Sequence, residues 1–66
     1  MTSLGEDFPR QQARCRVVLA SYRALGPSGA FGATMIEQSL AAADEAASSG
    51  DVIAMIRAYQ DLKGIE

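Results

Sequence analysis

The chain concentrates its positive charge in one segment that lies directly before a glycine-rich turn. Four arginines and no acidic residue lie between positions 10 and 25, namely Arg10, Arg14, Arg16 and Arg23. The segment 26–32 then holds three of the six glycines. A helix that starts after such a turn presents free N–H groups to an anion, and arginine can grip phosphate oxygens in pairs. This combination is typical of a surface that binds an anionic, nucleotide-type molecule.

Seven residues form the ligand-binding surface that this pattern predicts. Arg16 and Arg23 are seven residues apart and share one face of a helix, and a tyrosine offers an aromatic face on which a base can stack. The predicted surface consists of Arg16, Arg23, Ser28, Gly29 and Gly32, with Arg57 and Tyr59 joining them if the helices pack as a bundle.

A plainer interpretation of the same residues stays open. The basic first segment is followed by a remainder that carries six of the eight acidic residues, so the charges also fit complementarity between helices or between subunits. The turn at 26–32 then only connects two helices, and the tyrosines belong to the core. The segment lacks the Gly-Lys-Ser/Thr ending of a phosphate-binding loop.

The composition argues against catalysis, metal binding and nucleic-acid binding. The 66 residues contain no histidine and one cysteine. The chain therefore lacks the usual general base, the usual ligands of a zinc site and the second cysteine of an internal disulfide. Cys15 lies on an apolar stripe and is predicted to be a buried thiol. The net charge of −2 and the pI of about 4.9 are not those of a nucleic-acid-binding domain. We therefore expect a protein that is not an enzyme and has no cofactor, metal or nucleic acid.

No segment approaches the ~20 apolar residues of a membrane helix, and the first residues do not read as a secretory signal. We expect a cytoplasmic protein without a membrane partner.

Three helices are predicted to position these residues. The first spans 8–25 after a frayed start at 1–7, with Asp7 as its cap, and it ends at Gly26-Pro27. The second begins with a cap at Ser28 or at Thr34, is firm over 33–48 and ends at Gly50. The third spans 52–63, is capped by Asp51 and ends at Gly64. Their apolar stripes consist of Cys15, Val18, Leu19, Tyr22 and Leu25, then Ile36, Leu40, Ala43 and Ala47, then Val52, Met55, Ile56, Tyr59 and Leu62.

The predicted fold is all-α: a single helical domain over 1–66 in which a hairpin of helices two and three packs on a longer helix one. Phe8, Phe31 and Met35 complete the candidate core. A core this small leaves an isolated domain only marginally stable, and small scaffolds often solve this problem by oligomerising. We therefore expect a homo-oligomer, a dimer or larger, with Val17 and Ile53 facing a second subunit.

The chain also resembles a family of short uncharacterised helical proteins encoded by tailed phages and prophages. The resemblance spans most of 8–66 and rests on Phe8-Pro9-Arg10, Gly26-Pro27, Gly29-Ala30-Phe31-Gly32-Ala33, Met35-Ile36-Glu37 and Ser49-Gly50-Asp51. It implies an accessory protein in the host cytoplasm that counters host defences by binding. Two such functions are open: a homo-oligomeric sponge that sequesters an anionic nucleotide-type molecule, or a helical module that inhibits or adapts a host protein.

Overall fold

The computed structural model describes residues 3–66 and contains three α-helices. These are α1 (Leu4–Ala24), α2 (Ala30–Ser49) and α3 (Val52–Lys63), with a short 3-10 helix at Gly26–Gly29 between α1 and α2. Residues 3–66 include no strand, and α2 and α3 both pack on α1, so the predicted all-α fold is confirmed. None of the described helices is long and apolar enough to cross a membrane.

The first helix begins earlier than the sequence predicted. α1 starts at Leu4 rather than at Phe8, because the Ser3 hydroxyl accepts a hydrogen bond from the Glu6 N–H at 3.2 Å and caps the helix there. Glu6 and Asp7 then lie in the first turn, where negative charge favours the helix dipole. The prediction of a frayed start at 1–7 is therefore wrong for residues 3–7, and Met1 and Thr2 lie outside the described residues.

The turn between α1 and α2 is more regular than predicted. Gly26 has a φ of 66°, which ends α1 in the left-handed region that glycine favours. The 3-10 helix then continues directly into α2, since the Ala30 N–H donates to the Pro27 carbonyl. Neither predicted capping residue is used, because Ser28 Oγ donates to the Leu25 carbonyl and Thr34 Oγ1 donates to the Ala30 carbonyl. α2 therefore begins at Ala30 instead of near position 33.

The second turn agrees with its prediction. Gly50 has a φ of 75° and closes α2. The Asp51 carboxylate accepts hydrogen bonds from the N–H groups of Ile53 and Ala54 at 3.0 and 3.2 Å and so caps α3. α3 ends at Lys63, next to Gly64, as expected.

The helices run up, down and up. Ion pairs join Arg16 to Asp44 and Arg23 to Glu37, so α1 and α2 are antiparallel. Hydrogen bonds also join α3 and the residues after it to α1: Tyr59 to Asp7, the Leu62 carbonyl to Arg14, and the Glu66 carbonyl to Tyr22. The partners follow one another in the same order along both segments, so α3 runs parallel to α1.

The buried core is smaller than the sequence predicted. Among the predicted core residues, those that are buried are Phe8, Cys15, Leu19, Ile36, Leu40, Ala43 and Leu62, while Ala46 rather than Ala47 is buried on α2. Core positions were wrongly predicted for Leu25, Phe31, Met35, Val52 and Ile56, which are 42–80% exposed. Helix length explains Leu25, Phe31 and Met35, because α3 has 12 residues and is about 18 Å long, whereas α2 has 20 residues and is about 30 Å long. Val52 and Ile56 belong to α3 itself and lie about 80° and 120° around that helix from the buried Leu62, so they face away from the core.

Candidate functional site

The two arginines at the centre of the predicted ligand surface are each paired with a carboxylate of α2. Arg16 Nη2 lies 3.1 Å from Asp44 Oδ1, which also accepts a hydrogen bond from Gln12 at 2.8 Å. Arg23 Nη2 lies 2.9 Å from Glu37 Oε1. These pairs tie α1 to α2 across their exposed edge, which is the internal charge complementarity that the plainer interpretation described.

The two predicted glycines of the site, Gly29 and Gly32, provide close contact with α1. A Cβ placed on Gly29 would lie 2.1 Å from the Tyr22 carbonyl oxygen, and one placed on Gly32 would lie 2.7 Å from two carbons of the Tyr22 ring. Only residues without a side chain allow this approach. The space beside these two glycines, where the sequence predicted a bound anion, is therefore occupied by Tyr22.

Arg57 and Tyr59 do not join the other predicted site residues. Tyr59 donates its hydroxyl hydrogen to Asp7, whereas Arg23 lies 16 residues further along α1, a distance of about 24 Å along the helix axis. Arg57 lies on the other side of α3, facing α2. The structure thus keeps Arg23, Ser28, Gly29 and Gly32 near one end of the hairpin, with Arg16 two turns away and the remaining two residues elsewhere.

Tyr59 belongs to a small polar cluster at the start of α1. Its ring stacks on Phe8 with centroids 6.4 Å apart, and Lys63 Nζ lies 5.3 Å from the ring centroid. The hydrogen bond from Tyr59 lowers the pKa of the Asp7 carboxyl below its usual value of 3.8, and the same bond raises the pKa of Tyr59. This tyrosine therefore positions α3 against α1 and does not offer a free aromatic face.

Arg14 is a central residue that the sequence did not single out. Its Nη1 donates to the Ile65 carbonyl and its Nη2 to the Leu62 carbonyl, each at 2.7 Å. The Leu62 carbonyl lies in the last turn of α3, where it also accepts a hydrogen bond from the Ile65 N–H at 3.1 Å, and the Ile65 carbonyl lies just beyond the helix end. No sequence signal could have indicated this contact, since its partners are 48 and 51 residues away.

Cys15 is buried as predicted. Its side chain is fully covered, and its thiol donates to the Leu62 carbonyl at 3.3 Å. Burial raises the pKa of the thiol. A neutral thiol without solvent access is a packing residue rather than a nucleophile. Within residues 3–66, no group of three or more histidine, cysteine or acidic side chains is arranged to hold a metal ion.

A cluster of exposed apolar side chains lies at the hairpin end between α1 and α2, and we name Leu25, Phe31 and Met35 the hairpin-end cluster. Their exposed fractions are 60%, 80% and 49%. Met35 lies seven residues before Ala42, which lines the contact with α3, so Met35 continues the α3-facing side of α2. Leu25 lies seven residues after the half-buried Val18 of α1 and likewise continues that face. Because α3 is short, both side chains stay about half exposed or more.

A second surface feature is the groove between α2 and α3, which we name the α2–α3 groove. It has a volume of about 530 Å³. Small side chains form its floor and charged side chains its rim, and its lining residues are Ala42, Glu45, Ala46, Ser49, Asp51, Ala54, Arg57, Ala58 and Asp61.

In comparisons with known proteins, no family model, curated protein or solved structure matches this chain.

Proposed function

We propose that this protein is a non-catalytic helical interaction module that binds a protein partner through the hairpin-end cluster. The observation that carries the proposal is Phe31, an aromatic side chain that is 80% exposed and is flanked by the exposed Leu25 and Met35. Clustered apolar side chains of this size on a small domain are a feature of interaction sites, whereas single exposed ones are ordinary.

The cluster has the anatomy of a binding anchor. Aromatic residues are enriched at the centres of interfaces, with polar residues around them. Exposed polar side chains of Ser28, Thr34 and Gln38 surround Phe31 along the chain. Burying the exposed 80% of Phe31 in a partner would contribute about 1–2.5 kcal/mol.

The backbone that carries Phe31 is held in place before any partner arrives. Gly29 is buried against the Tyr22 carbonyl, and the backbone at Gly32 packs closely on the Tyr22 ring, so that one close contact lies on each side of Phe31 along the chain. A side chain presented from a fixed backbone loses less entropy on binding, which favours affinity. The glycine-rich segment thus serves the proposed site by fixing its geometry.

The resemblance to short phage and prophage proteins supports a biological setting for this activity. In that setting the partner is a host protein, the place is the host cytoplasm and the outcome is interference with a host defence.

A second proposal is sequestration of an anionic nucleotide-type molecule by a homo-oligomer. The observation that favours it is the exposure of both arginine pairs: the side chains of Arg16 and Arg23 are 54% and 60% exposed. Exposed ion pairs contribute only about 0–1 kcal/mol, so a phosphate could replace Glu37 or Asp44 as the arginine's partner. The interaction module has the stronger support, because it requires no existing contact to break.

The interaction module is tested with a photo-crosslinking amino acid at position 31, with position 53 as the matched control. Ile53 is also apolar and 64% exposed, but it lies on α3. In cells that produce the protein, we expect a defined protein adduct at position 31. The identified partner, once purified, should bind Phe31→Ser about five- to seventy-fold more weakly than wild type, which is the equivalent of the burial energy above. Ile53→Ser should bind as wild type does.

The absence of a specific adduct at position 31, or equal affinity of wild type and Phe31→Ser, would refute the module. Thermal unfolding with a panel of nucleotides tests the second proposal in parallel. A ligand that binds only the folded state raises the melting temperature. A nucleotide that raises it for wild type but not for Arg23→Ala would support sequestration.

A further inference from the structure

α1 carries a second stripe of small apolar side chains on the side that faces away from the core. Val17 is two residues from the buried Leu19, which is about 200° around the helix. Ala13, Val17, Ala20 and Ala24 are all exposed and recur at spacings of four, three and four, and we name these four residues the α1 stripe. This spacing is that of a helix face that packs against another helix. No residue within 3–66 covers it.

The charges around the α1 stripe are mixed, since the exposed Glu6 lies seven residues before Ala13 on the same face and Arg16 and Arg23 are paired with carboxylates of α2, so the positive charge that the stripe offers a partner is that of Arg10. Arg10 lies one turn before Ala13, is exposed, and forms no ion pair or side-chain hydrogen bond with another residue of the described part of the chain. No acidic residue occurs between Phe8 and Leu25.

The α2–α3 groove has the complementary properties. Its floor consists of alanines, so a second helix can approach closely, to about 8 Å between axes. Its rim carries the three carboxylates of Glu45, Asp51 and Asp61 against the one guanidinium of Arg57. The groove is therefore acidic, which opposes an anionic ligand and favours a basic occupant.

We propose that the α1 stripe of one copy of this protein docks into the α2–α3 groove of a second copy. The α1 stripe is long enough to fill the groove: it runs 11 residues from Ala13 to Ala24, or about 16 Å of helix, and the groove wall runs seven residues from Ala42 to Ser49, or about 10 Å. Val17 enters the alanine-lined floor, and Arg10 reaches the carboxylates of the rim. Both surfaces are built from small side chains, which permits continuous contact along two turns.

This contact is heterologous, since each copy contributes a different surface to it. Each copy also retains one free stripe or one free groove, so that association continues until a ring closes or a filament forms. The hairpin-end cluster takes no part in the contact, so this inference goes beyond the proposed function and does not depend on it.

Two exposed positions allow each surface to be disrupted separately. Val17→Glu places a carboxylate on the stripe, where it would meet the acidic rim, and leaves the groove intact. Ala42→Trp fills the groove and leaves the stripe intact. Ala41→Glu and Ala41→Trp are the matched controls, because Ala41 is exposed on α2 next to Ala42 but lines neither surface.

Sedimentation across a dilution series at micromolar and higher concentrations measures the outcome, with circular dichroism to verify folding. We expect wild type and both Ala41 variants to associate, and Val17→Glu and Ala42→Trp each to sediment as a 7.0 kDa monomer. An equal mixture of the two monomeric variants should form a one-to-one dimer that grows no further, because the one intact stripe fits the one intact groove. Arg10→Glu should weaken wild-type association, and added salt should weaken it further.

A wild-type protein that stays monomeric would overturn the proposal, as would association that survives Val17→Glu. A mixture that fails to dimerise would show that the two surfaces do not recognise each other. Partner binding through Phe31 is measured independently in the Val17→Glu background, so either proposal can fail alone.

Discussion

Arg14→Ala should destabilise the fold far more than the same substitution at Arg23, nine residues further along α1. Arg14 donates two hydrogen bonds, each 2.7 Å long, to carbonyls at the end of α3. Hydrogen bonds from a charged donor contribute about 1.5–3 kcal/mol each to the free energy of unfolding. Arg14 is half-buried, so water can replace part of this contribution, and Arg14→Ala should lower the free energy of unfolding by about 2–4 kcal/mol. Arg23 makes one exposed ion pair, for which about 0–1 kcal/mol is typical.

The expected loss is a large part of the total stability. A domain of 66 residues has a free energy of unfolding of about 3–10 kcal/mol. Urea unfolding followed by circular dichroism should therefore show a clear fall in the midpoint for Arg14→Ala, and thermal unfolding should show a decrease of about 10 °C or more. Arg14→Lys should be intermediate, because a lysine keeps the charge but not the planar fork that reaches both carbonyls.

All variants are compared at one protein concentration, since association would add to apparent stability. Equal losses for Arg14→Ala and Arg23→Ala would refute the reasoning. So would a loss below about 0.5 kcal/mol for Arg14→Ala, because that is well below the contribution of even one charge-assisted hydrogen bond.

Two further predictions concern the close contacts of α1. Gly29→Ala should lower the free energy of unfolding by about 1–3 kcal/mol, because its Cβ would meet the fixed backbone carbonyl of Tyr22. Gly32→Ala should lower it less, because the Tyr22 ring can move, so thermal unfolding should show a lower melting temperature for Gly29→Ala than for Gly32→Ala. Stability should fall as the pH decreases below about 4. The pKa of Asp7 is lower in the folded protein than its unfolded value of 3.8, so the Asp7 carboxylate adds stability above pH 3.8, and this stability is lost as the pH falls through the folded pKa. Tyr59→Phe removes the bond that lowers this pKa, so its acid unfolding curve should show a smaller dependence on pH, and an unchanged curve would contradict the assignment.

The sequence by itself determined the helices and most of their ends. Gly26, Gly50 and Asp51 act through the conformation of one residue or through hydrogen bonds to the next two or three, so their effects can be read locally. Periodicity likewise identified Cys15 and Leu62 as core residues. The start of α1 lies four residues before the predicted one, although the Ser3 cap that sets it is also a local signal.

Only the tertiary structure decided which parts of the apolar stripes are covered. The stripe of α1 predicts Leu19 and Leu25 to be buried alike, but Leu25 lies beyond the part of α1 that the 12-residue α3 can cover. Phe31 is exposed for the same reason. The periodicity of one helix carries no information about the length and offset of its neighbour. The sequence therefore predicted a core position for Phe31, the central residue of the proposed site.

The roles of the arginines were also decided by the fold. All four arginines of α1 have the same local context in the sequence, which is a basic helix without acids. In the structure Arg16 and Arg23 pair with carboxylates 28 and 14 residues away, and Arg14 reaches carbonyls at the end of α3. The sequence determines where positive charge lies along a helix. The partner of each charge depends on which helices pack together and on how far they are shifted along one another in the folded chain.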